Sequence, residues 1–133
     1  ESVKTSAQRI SPLACYFHKD SRPDKFDGSA LTGVQPYMGN NIPDLTGSVV
    51  FTDFAQNEES KPPVKGVLAY TKSTKDSKLN DCSVIETDDD FGSESAYYVC
   101  LGANMNQTRL YLGVYASANV ADFGKGTIFE IVP

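Results

Sequence analysis

The stretch Arg109-Leu-Tyr-Leu-Gly-Val-Tyr115 decides the class of fold. Leu110, Leu112 and Val114 occupy every second position, and Tyr111 and Tyr115 stand between them. A period of two is that of a β-strand, whose successive side chains point to opposite faces. The apolar row belongs to a core and the tyrosine row to the other side. The final run, Gly126-Thr-Ile-Phe-Glu-Ile-Val132, alternates in the same way, with Phe129 and Ile131 on either side of Glu130. One face inward and one face wet is the pattern of antiparallel sheets.

Working back along the chain, further short runs rich in β-branched and aromatic residues recur at 13–18, 30–35, 47–54, 64–71, 82–87 and 95–101. Turn chemistry separates them. Asp27-Gly28, Gly39-Asn-Asn41 and Phe123-Gly-Lys-Gly126 tolerate positive φ, and Pro62-Pro63 cannot lie in a central strand. Residues 18–29, 36–46 and 56–63 therefore read as loops, and 71–81 has room for one helical turn at most. No window of eleven or more residues carries an uninterrupted helical apolar stripe. The expected fold is all-β: a single domain over residues 1–133, an antiparallel β-sandwich or β-barrel of about seven to eight strands.

The 133 residues are 40% hydrophobic and 22% charged, with a net charge of −5, which are values of a folded globular chain. Acidity and scattered Lys and Arg argue against nucleic acid and against anionic lipid as partners. No apolar run reaches the length of a membrane-spanning helix. The chain starts at Glu1 with no basic and apolar leader, and is read as the mature form of an exported protein.

The three cysteines, Cys15, Cys82 and Cys100, form no zinc pattern. If the runs at 82–87 and 95–101 fold into a hairpin about Phe91, Cys82 falls opposite Cys100, within disulfide range. This pairing is expected, with Cys15 buried in Leu13-Ala-Cys-Tyr-Phe17. Three buried thiols, or a bridge from Cys15, are the alternatives.

No catalytic or cofactor motif stands out. The acidic run Glu86-Thr-Asp-Asp-Asp90 lacks calcium-loop spacing and reads as a solvated turn, as do Asp20, Asp24 and Asp27. His18 is the single histidine; three residues along a strand from Cys15, it would face the other way. Carboxylates are plentiful, but nothing selects a hydrolytic pair. Asn106-Gln-Thr108 is an N-glycosylation acceptor triplet. Tyrosine supplies contact area with a polar tip, and Tyr111, Tyr115 and Tyr37 are the expected binding residues. The sequence thus reads as a secreted, non-enzymatic binding protein of the effector, adhesin or inhibitor type, recognising a protein or glycan without metal or cofactor. A self-associating surface subunit and a small hydrolase using paired carboxylates are the other readings.

Overall fold

A computed structural model describes residues 12–16, 18, 27–56, 64–72, 81–88, 95–117, 122 and 124–133. Among the described residues, seven strands form two antiparallel sheets in a sandwich-like arrangement, with no closed barrel. The first sheet has the order β1 (Leu31–Tyr37), β2 (Ser48–Asp53), β3 (Val67–Lys72), β4 (Ser83–Val84); the second runs β5 (Tyr97–Ala103), β6 (Leu110–Tyr115), β7 (Gly126–Ile131). Each sheet is a meander of consecutive strands. The only helical element among the described residues is the 3-10 turn Pro43–Leu45, where proline fits the first position. Gly47, at φ 75, then turns the chain into β2.

The alternation in β6 is realised as read. Leu110, Leu112 and Val114 are buried with Val50, Leu68, Tyr98 and Leu101 in the core between the sheets. Each such side chain contributes about 1.5–3 kcal/mol by leaving water. The sheets also meet along a seam. The Thr32 hydroxyl of β1 donates to the Tyr98 carbonyl of β5 at 2.8 Å, and Gln35 Nε2 donates to the Leu101 carbonyl. A Cβ on Gly33 would stand 2.5 Å from the Leu101 nitrogen, so only glycine lets the strands approach this closely.

The outer side of the first sheet carries a smaller cluster of Phe51, Val67 and Ala69, packed by Tyr16 and Cys82. Residues 12–16 belong to no strand of either sheet. Tyr16 stacks on Phe51, with ring centroids 5.8 Å apart, and donates its hydroxyl to Asp53 Oδ2 at 2.5 Å. Asp53, 1% exposed, is the only buried charged residue among those described. Its Oδ1 accepts from the backbone N–H groups of Ser29 (2.7 Å), Ala30 (3.1 Å) and Ala55 (3.3 Å). Burial, and then the bond and charge of Asp53, push the Tyr16 phenol well above its usual range.

Two expectations for the cysteines are corrected. The runs at 82–87 and 95–101 form no hairpin: Ser83 and Val84 pair with Tyr70 and Ala69, while Cys100 lies in the other sheet opposite Gly113. Cys82 and Cys100 are therefore not bridged, and no disulfide joins any of the three. Cys15 is exposed, not buried, because its neighbour Tyr16 takes the inward position. The expected turn centre at Phe91, residues 73–80, Asp89, Asp90, Asp20 and Asp24 lie outside the described residues.

Candidate functional site

The outer face of the β5–β6–β7 sheet is where the sequence places Tyr111 and Tyr115, and the register fixes what surrounds them. Directly paired residues share a face. Tyr111 lies between Gly102 of β5 and Glu130 of β7; Gly113 lies between Cys100 and Ile128; Tyr115 lies between Tyr97 and Gly126. Tyr111 and Tyr115 stand about 13 Å apart along the strand.

This face carries apolar side chains that are turned to solvent. Ile128 is 73% exposed and Val99 42%. Val99 has no register partner because the β5–β6 pairing shifts between Tyr98 and Cys100. That bulge tips Val99 outward. Its Cγ2 and the Cys100 sulfur both reach over Gly113, at 3.6 Å and 2.3 Å from where a Cβ there would stand. Gly102 and Gly126 have open space instead, so they leave the flanks of Tyr111 and Tyr115 uncovered. The surface is a shallow relief: two tyrosines, a ridge of Val99, Cys100 and Ile128 between them, and two glycine hollows.

Polar groups fix its ends. Arg109 Nε lies 3.4 Å from Glu130 Oε1. A hydrogen bond with Tyr111, and then the Glu130 charge, hold the Arg109 guanidinium even more firmly cationic. At the other end, Tyr115 donates its hydroxyl to the Asp122 carbonyl at 2.8 Å, and Tyr97 stacks on Phe54 with centroids 4.8 Å apart.

Tyr37 does not join this surface, which corrects the sequence expectation. It is 1% exposed, in the core, and its hydroxyl accepts from the Ile42 N–H at 3.1 Å. Sequence reasoning missed Val99 and Ile128: a lone valine in a strand gives no sign of the bulge that turns it out.

Two concavities lie elsewhere. A groove of about 160 Å³ on the first sheet is lined by apolar side chains including Leu13, Leu31, Val34 and Phe51, with Cys82 at its side. A cleft of about 400 Å³ runs past Lys65, Leu68, Glu86, Thr87 and Tyr98. Among the described residues, no three His, Cys, Asp or Glu side chains gather as a metal site, and no helix is long and apolar enough to cross a membrane. His18 is exposed. Compared with models of protein families, with curated proteins and with solved structures, the chain matches none.

Proposed function

We propose that the chain is an exported, non-enzymatic binding domain whose contact surface is the outer face of the β5–β6–β7 sheet and whose partner is a protein. The observation that carries this reading is the pair Val99 and Ile128, exposed on either side of the central strand that also turns Tyr111 outward. Contiguous exposed apolar surface marks sites of association, and tyrosine is among the residues that concentrate binding energy. The charged pair Arg109–Glu130 at one end supplies a polar rim. A glycan is the second reading: the open hollow at Gly102 leaves room for a sugar ring beside Tyr111, with Arg109 and Glu130 in reach of its hydroxyls.

The non-enzymatic part rests on Asp53, whose oxygens already accept five donors and whose role is structural. The exported part draws on Asn106, exposed in the turn between β5 and β6, where its acceptor triplet is open to modification.

The test is quantitative capture of a partner from extracts of the organism's neighbours or host, beside a glycan array. Tyr111→Ala with Val99→Ser should weaken capture at least about tenfold, or about 1.4 kcal/mol, with the melting temperature nearly unchanged. Undiminished capture by the double variant would remove the face from consideration.

A further inference from the structure

The ladder between β6 and β7 shows which backbone groups of β7 are spoken for. Beyond the pair Tyr115↔Gly126, the Ala116 N–H donates to the Lys125 carbonyl at 3.1 Å, so Ala116 and Lys125 form a hydrogen-bonded pair. Such pairs alternate along an antiparallel ladder. Val114↔Thr127, Leu112↔Phe129 and Leu110↔Ile131 are therefore also hydrogen-bonded pairs. Gly126, Ile128 and Glu130 accordingly turn their N–H and C=O groups away from β6. These six groups lie along one open edge, and all three residues are exposed. No backbone partner meets them among the described residues.

Among the described residues, the other edges are covered or very short. β5 and β1 cover one another through Thr32, Gln35 and the close approach at Gly33. β4 is only Ser83–Val84. Natural edges are blunted by proline, lysine, bulges or brevity. β7 is six residues long, contains neither proline nor lysine, and pairs with β6 in unbroken register.

We propose that β7 pairs with β7 of a second copy of this chain, antiparallel, about a two-fold axis at Ile128. The two three-stranded sheets then become one of six. The second copy is the occupant because the edge is complementary to itself. In this register Gly126 meets Glu130 of the second copy, Ile128 meets Ile128, and Glu130 meets Gly126. All twelve outward groups of the two strands are then used, in six hydrogen bonds between chains. Each Ile128, 73% exposed, covers the other. Charge agrees as well: Glu130 faces a glycine and not its own copy. The two Glu130 residues stand about 14 Å apart, beyond the roughly 8 Å screening length of physiological salt. The dimer would set two tyrosine faces side by side on a single sheet, but its formation does not require that face to bind anything.

The experiment is sedimentation equilibrium of the full chain, reduced, up to about 1 mM, a range that captures weak association. The wild type should fit a monomer–dimer equilibrium. Ile128→Lys, which sets two cations together on the axis, should raise the dissociation constant at least tenfold. Ile128→Pro removes only an outward N–H, sparing the ladder to β6, and should do the same. If the proline variant melts early, the lysine variant decides. In a Cys15→Ser, Cys100→Ser background, Ile128→Cys should cross-link to itself under mild oxidation, since paired Cα atoms there lie about 5.5 Å apart. Glu130→Cys in the same background should not. A wild type monomeric throughout overturns the proposal, as does a dimer that all Ile128 variants leave intact. Loss of capture on Tyr111→Ala with Val99→Ser bears on the binding face alone.

Discussion

Replacing Asp53 separates the two things its carboxylate does, accepting hydrogen bonds and carrying charge. In Asp53→Ala, the Tyr16 hydroxyl loses its acceptor and the Ala55 N–H is left buried without one. The Ser29 N–H keeps a second acceptor in the Ala55 carbonyl at 3.1 Å, and Ala30 is exposed enough to turn to water. The charge-assisted bond from Tyr16 is worth about 1.5–3 kcal/mol and the stranded N–H about 1–3. The sum, near the middle of each range, is about 4 kcal/mol. Asp53→Asn behaves differently. Its Oδ1 still accepts from the backbone, and its Nδ2 donates to the Tyr16 oxygen, reversing that bond. Only the assistance of charge is lost, about 1–2 kcal/mol. Urea unfolding followed by circular dichroism measures both. With a slope near 2 kcal/mol/M, the alanine variant should lose about 2 M of midpoint and the asparagine variant less than about 1 M. Equal losses would refute the assignment of separate roles, and a loss below about 1 kcal/mol for alanine would show that Asp53 does not organise its surroundings.

Other outcomes are expected alongside. Because the fold raises the Tyr16 phenol above its usual 10.0, the stability it brings is complete below that pH and is lost as pH rises through it. The advantage of wild type over Tyr16→Phe in urea midpoint should be constant up to about pH 9 and shrink above pH 10; an advantage that grows with alkali would contradict the sign. Gln107 sits at φ 57, where side chains are strained, so Gln107→Gly should raise stability by about 0.5–1 kcal/mol by thermal melting, whereas Gln107→Val should lower it. A thiol reagent added to native protein should modify Cys15 and Cys100 quickly and Cys82 slowly, and mass mapping without reduction should find no bridge.

β6 and β7 were legible because they alternate, one face toward a core and one outward, and β2 because it is a run of β-branched and aromatic residues, packed on both faces. The tyrosines show the limit of that reading. Tyr37 and Tyr111 look alike in sequence, and what separates them is the opposing sheet, which covers Tyr37 and leaves Tyr111 out. The cysteine hairpin failed for a related reason. The run at 82–84 follows β3 and is taken by it, leaving 97–103 to start a new sheet. Apolar character in Leu13-Ala-Cys-Tyr-Phe17 suggested a strand, yet the described part of it serves as a cover over Phe51. Asp53 did carry a signal. A carboxylate inside Val49-Val-Phe-Thr-Asp-Phe54 has to be paired if the run is buried, and its partners are loop amides that no periodicity announces.

The seam at Thr32 and Gln35 also sets the order in which the molecule comes together. Every ladder within a sheet joins consecutive strands, so each meander forms from nearby chain. The bond from Thr32 to Tyr98 spans 66 residues. Contacts of that separation form late, after the loop between them has been closed at an entropic cost. The expected assembly is therefore bipartite, with two halves forming locally and then docking. A chain severed between residues 88 and 95 would leave β1 to β4 whole on one piece and β5 to β7 whole on the other. Two such pieces retain everything needed to reassemble except the tether, so the protein is suited to being split and reconstituted, with recovery of the seam reporting that the halves have met.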